Sequence, residues 1–278
     1  MRRCLPAVVV GGALACLLTP PAAAQALSPA PAATPAGRPP LHISADEMHI
    51  DAATRVAVAV GRVRISDGTT TATAARATLY HREGRGVLAG QARVRGPQGL
   101  LEGGEITVWY TARAIVRIVA RGAASLEAEA SLVTARVVTI VPSTDTVTAE
   151  REVTLFVPPD VVATGARLVY QRARGVAVLE GRGRVANPDG FIEADRIEGT
   201  RRMASAVAAG DVWSVFRDIE VRSRTAELFA AEQKAVFVGD VRVAQPGRRM
   251  TSERVTLWYG VGRVVAEGQT WIRLEPQP

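Results

Sequence analysis

"AVFVGDVRVAQ", residues 235–245, reads as a β-strand with a glycine at its centre. Glycine weakens a strand interior, so one placed there marks a bulge, a bend or a close backbone approach. Nearly the same text, "VAVAVGRVRIS", stands at 56–66, and further copies centre on Gly90, Gly122, Gly181, Gly210 and Gly268. Glu150 is read as the glycine-equivalent of the remaining unit. Valine then stands three residues earlier in every unit: Val58, Val87, Val119, Val147, Val178, Val207, Val236 and Val265. A recurrence every 28 to 32 residues is the signature of a repeat architecture in which each unit packs on its neighbours.

A second column runs ahead of the first, a small residue often followed by an acid. It comprises Ala45-Asp46, Ala74-Ala75, Gly104-Glu105, Thr134-Ala135, Gly165-Ala166, Ala194-Asp195, Ser223-Arg224 and Ser252-Glu253. Each opens a further alternating segment, and turn text such as "SDGT" (66–69) and "NPDG" (187–190) separates the segments. Alternation bounded by Gly, Pro, Asn and Asp is the half-buried strand signal, and no window holds the 3.6-residue period of a helix. The fold class is all-β.

Around Gly239 the apolar positions are Val236 and Val238 before it, Val241 and Val243 after it. The step across the glycine is three, so a regular strand would exchange faces there. An extra residue in a bulge keeps all four side chains inward and makes the glycine a corner between two sheets. Two to three short strands per unit, stacked on two faces at ~4.8 Å, predict a rod about 55–60 Å long. The predicted interior lining is Val58, Val60, Ile65, Leu79, Val87, Val94, Val236, Val238, Val243, Val255, Leu257 and Ile272. An aliphatic lining with few aromatics suits either a tight two-sheet core or a track for an apolar guest.

The N-terminus reads separately. Arg2 and Arg3, an apolar stretch from Leu5 to Leu18 and small residues up to Ala24 have the layout of a cleaved signal peptide, residues 1–24; the alternative is an uncleaved anchor. Residues 25–40 are a Pro/Ala linker, and residues 41–278 form the folded domain. Cys4 and Cys16 both lie in the leader, so the mature chain has no disulfide and no thiolate metal site. The net charge of +7 becomes +5 once Arg2 and Arg3 are removed, and the arginines alternate with acids, which argues against nucleic acid as a partner. His42, His49 and His81 are read as surface residues, and Asp46 and Asp195 as structural because they recur at one repeat position. No nucleophile elbow, phosphate loop or zinc spacing is present, so no catalytic residue, metal or cofactor is assigned.

The text also resembles a known family, the OstA/LptA-like periplasmic lipopolysaccharide-transport proteins. The residues that carry it are "ISADEMHIDAATRVAVAVGRVRISDG" (43–68), "IEADRIEGTRRMASAVAAGDV" (192–212) and the stretch from Val221 to Gly268. The resemblance implies an elongated, twisted antiparallel β-jellyroll, open along one side, whose interior holds the acyl chains of lipid A. It implies no enzymatic activity, location in the periplasm, and head-to-tail docking onto LptC-like and LptD-like jellyrolls or onto further copies. The alternatives are an LptC-like anchored component, a structural or adhesive β-solenoid with a packed core, and a carbohydrate-active β-helix.

Overall fold

Period-two alternation runs through almost the whole chain, and the protein is built of strands accordingly. The computed structural model describes residues 42–111, 114–128, 130–200 and 205–274; the predicted leader and linker lie outside the described residues. The strands are β1 (His42–Ser44), β2 (Glu47–Asp51), β3 (Val56–Ser66), β4 (Thr71–Tyr80), β5 (Arg85–Gly96) and β6 (Gly99–Tyr110). They continue with β7 (Ile115–Ala128), β8 (Ser131–Val141), β9 (Thr146–Val157), β10 (Val161–Gln171), β11 (Val176–Asn187) and β12 (Gly190–Thr200). The last are β13 (Ser205–Phe216), β14 (Ile219–Phe229), β15 (Lys234–Gln245), β16 (Arg248–Trp258), β17 (Arg263–Glu267) and β18 (Trp271–Leu274). From β3 to β16 each strand pairs antiparallel with its sequence neighbours; β1 and β2 both lie along β3, and β17 and β18 along β16. β1–β2 and β17–β18 are thus single strands interrupted at the corner, and the fold is an all-β, unclosed, elongated jellyroll.

Each unit holds two long bent strands, which corrects the expected two to three short ones. Every bent strand crosses the corner and supplies half its length to each face, so sixteen half-strands stack per face and span ~70 Å. The expected length of about 55–60 Å fell short because the glycine bends a strand without ending it.

The corner is a two-residue bulge. Val238 pairs with Arg254 and Val241 with Ser252, so Gly239 and Asp240 oppose Glu253 alone. Both bulge residues are left-handed, Gly239 at φ 86° and Asp240 at φ 50°. The inward step is therefore four on this strand, from Phe237 to Val241, and three on its neighbours, from Val255 to Ser252 and from Ala226 to Ser223. Two residues on one strand against one on the next bend both and keep the chosen face inward.

Two frames move when the corner is located this way. In the unit without glycine the left-handed pair is Arg151 (φ 65°) and Glu152 (φ 57°), so Arg151, not Glu150, takes the glycine position. The residue three before it is Thr148, and Val147 falls on the inner face. Corner spacing then runs between 29 and 32 residues. The small-residue column shifts too, to Gly103 and Ala135 in the third and fourth units, which leaves Ala, Ala, Gly, Ala, Gly, Ala, Ser and Ser against the corner. Small residues are needed there because the two half-sheets close on one another.

The residue after each small one meets the bulge from outside. Arg62 reaches Asp46 at 2.6 Å, Arg136 reaches Glu152 at 2.5 Å, and Arg224 pairs with Asp240. The polarity reverses between units while the geometry is kept. The hydrogen bond from Arg62 holds the Asp46 carboxyl below its usual value, and Arg136 does the same to Glu152. All three pairs are exposed and contribute little to stability.

Candidate functional site

The inner face is one continuous aliphatic surface. On the first half of each odd-numbered strand, two residues before the corner, stand Ala59, Leu88, Ala120, Ala149, Leu179, Ala208, Phe237 and Ala266, apolar in every unit. Beyond the corner come Val63, Ala92, Ala124, Val153, Val212 and Val241, all buried, with Gly183 in the fifth unit. There Leu179 fills the space left by two glycines: a Cβ on Gly165 or Gly183 would lie 2.8 Å from its methyls. Among the described residues one inward strand position carries a charge, Arg248 at the rim end of β16, opposite Gln245 and Leu274. The buried hydroxyls of Ser223 and Ser252 donate to the Thr225 carbonyl (2.9 Å) and the Glu267 carbonyl (2.7 Å), so they add no free polarity.

Of the predicted lining, Ile65, Leu79, Val94, Val243, Val255, Leu257 and Ile272 stand on this inner face. Val58, Val60, Val87, Val236 and Val238 stand on the outer face, which corrects their assignment. The assumed step of three belongs to the partner strand; the glycine strand takes a step of four. The valine column is an outer ladder: Val58 opposes Thr78, Val87 opposes Thr107, and Val119 opposes Thr107 and Thr139. β-Branched pairs stiffen a pleated surface on either face. Flanking Arg117 and Arg121 share this face with Val119, which is only 1% exposed. The missed inner residues carried a readable signal, the apolar column two before the corner.

Burial grades from corner to rim. Residues beside the corner are fully buried, whereas Val108, Ile118, Ile140 and Leu228 near one rim and Val94, Leu155 and Met250 near the other are half-buried. The rims meet through side chains without pairing as strands. Phe216, inward at the end of β13, stacks on Tyr259 after β16, with centroids 4.8 Å apart and planes 8° from parallel. Burial, aided by the charge of Asp189, pushes the Tyr259 hydroxyl above its usual value. Farther along, Arg172 after β10 shares a concavity with Gly96 to Leu100 and Glu127. The jellyroll is therefore packed along its corner, and opposite it the described rims form a side-chain seam, held where Phe216 stacks on Tyr259, with no strand pairing between them.

At the two ends the columns lie bare. Met48 and Ile50 (74% exposed) end the inner surface at β2; Ile272 (63%) and the outward Trp271 (77%) end the sheet at β18. His42, His49 and His81 are exposed, and among the described residues no three His, Cys, Asp or Glu side chains gather as a metal site.

Comparison with known proteins adds the following. The family described as LptA/(LptD N-terminal domain) LPS transport protein matches residues 42–203, more than half of the chain. Among solved structures, LptH, the LptA homologous periplasmic component of the lipopolysaccharide transport device from Pseudomonas aeruginosa, superposes with a TM-score of 0.40. The identity is 12%, over 42% of this chain and 95% of that one. No curated protein matches.

Proposed function

The chain belongs to the LptA/(LptD N-terminal domain) LPS transport family, and from that premise we propose that it is a non-enzymatic periplasmic bridge that carries lipopolysaccharide, its acyl chains against the inner face. The observation that carries this reading is the aliphatic inner face, which runs through all eight units and carries its one charge, Arg248, at a rim. Burying a CH₂ stabilises by ~0.8 kcal/mol, so about ten methylenes supply the ~8 kcal/mol of micromolar binding. The half-buried strip along the seam is where chains would enter, because parting it breaks side-chain contacts and no backbone ladder. Export by the signal peptide at residues 1–24 belongs to the same proposal.

The ends support docking to LptC-like and LptD-like jellyrolls or to further copies. β1–β2 runs in the sense of the even-numbered strands and β17–β18 in that of the odd-numbered ones, so a second copy continues the alternation. The inner columns would join as Val264 to Ile50, Ala266 to Met48 and Ile272 to Ile43, which buries side chains now exposed.

Adjacent residues on β14 test the lipid reading. A photo-crosslinking side chain at Leu228, inward and half-buried, should capture lipopolysaccharide in cells; one at Glu227, outward and exposed, should not. Equal capture at both positions would reject an inner-face site.

A further inference from the structure

Arg248 is the single charge that the inner face carries among the described residues, and it opens β16. The equivalent inward residues, which open β6, β8, β10, β12 and β14, are Gly99, Ser131, Val161, Gly190 and Ile219. Arg248 is exposed, and no described side chain forms an ion pair or hydrogen bond with its guanidinium. Its directly opposed neighbours on the inner face are Gln245 on β15 and Leu274 on β18. Toward the corner the same face carries Met250, Val243 and Ile272. A cation and an amide therefore stand side by side at the rim end of an aliphatic surface.

The seam shows why this rim lies open. It joins Phe216 at the end of β13 to Tyr259 after β16, and Glu127 and Ala128 at the end of β7 to Arg172 after β10. In both places a rim meets the opposite rim three strands further along. Three strands beyond the β15–β16 turn lies past β18, the last strand described, so no described rim closes over Arg248. Its guanidinium has water on one side and apolar surface on the other.

On the lipid-carrying reading, on which this rests, we infer that Arg248, with the Gln245 amide beside it, binds the oxyanion head group of an amphiphile whose hydrocarbon chain lies on the inner face. A guanidinium stays charged at every physiological pH, and its planar fork matches the two oxygens of a phosphate or carboxylate. Neighbouring apolar surface lowers the local dielectric and strengthens that attraction beyond what an arginine in open water provides. The Gln245 carboxamide adds two donors from the adjacent strand, ~4.8 Å away. An uncharged head group gains only ordinary hydrogen bonds there, so the site sorts amphiphiles by charge.

Calorimetry on the full chain tests this with three probes: dodecyl phosphate, the uncharged dodecyl glucoside, and inorganic phosphate, the first two below micelle-forming concentrations. Wild-type protein should bind dodecyl phosphate about tenfold more tightly than dodecyl glucoside, and inorganic phosphate more weakly than either. In Arg248→Gln the affinity for dodecyl phosphate should fall about tenfold, to that of the glucoside. Arg242→Gln removes an exposed arginine from the outer face of β15 and should keep the preference. Three results overturn the head-group site and leave the inner-face reading standing: equal wild-type affinity for the two dodecyl ligands, an equal fall for both in Arg248→Gln, or loss of the preference in Arg242→Gln. Inorganic phosphate that binds as tightly as dodecyl phosphate overturns it too, since the chain then adds nothing. Wild-type protein that binds neither dodecyl ligand overturns the inner-face reading and the site with it.

Discussion

Gly61 and Arg151 occupy the same corner position and show what each residue costs there. At Gly61 the backbone lies at φ 75°, and a Cβ would stand 2.3 Å from Asp46 Oδ2. Arg151 holds a φ of 65° with a full side chain, in the conformation that side chains disfavour by ~1–2 kcal/mol. Gly61→Val should therefore destabilise by roughly 1–3 kcal/mol. Arg151→Gly should stabilise by about 0.5–1 kcal/mol, since relief of strain outweighs the extra freedom of the unfolded chain. Urea melts of both variants check this; a loss of stability in Arg151→Gly would reject the assignment of that corner. The glycines were legible in the sequence because one column of them recurs at fixed spacing. Arg151 was not legible, because nothing in an arginine announces a left-handed backbone, and Val147 by coincidence completed a false frame.

At the scale of the strand, alternation says that two faces differ without saying which is inside. Val236 and Val238 are more hydrophobic than Ala235, yet Ala235 is inward with Phe237. The corner demands small inner residues, while the outer face rewards β-branched ones, so hydrophobicity alone pointed the wrong way on β3, β5 and β15. The seam is a second strand-level feature that sequence did not show, because Phe216 and Tyr259 are 43 residues apart and belong to different units. Phe216→Ala should destabilise by about 3 kcal/mol. It should also speed amide exchange in the rims around Ile219 and Tyr259, while exchange in β3 to β6 stays unchanged. Uniformly faster exchange along the sheet would mean that the stacked pair is ordinary core rather than a local clasp.

For the molecule as a whole, the open question is what its ends meet. Edge strands left unpaired are a liability that soluble proteins cover or blunt, and β18 presents Trp271, Ile272 and Leu274 exposed. Ile272→Lys puts a charge into the inner column at that end. It should abolish concentration-dependent end-to-end assembly in sedimentation velocity and leave Tm unchanged, because the side chain buries little surface within one copy. Assembly that persists in this variant would remove the C-terminal edge from the contact. The all-β class, the repeat, the corner glycines and the family were determined by the sequence itself, because each depends on local backbone chemistry or on residues recurring at fixed spacing. The choice of inner face, the corner at Arg151 and the seam were decided only by the tertiary structure. Each depends on register between strands, and register is set by which face can close on itself without burying a charge.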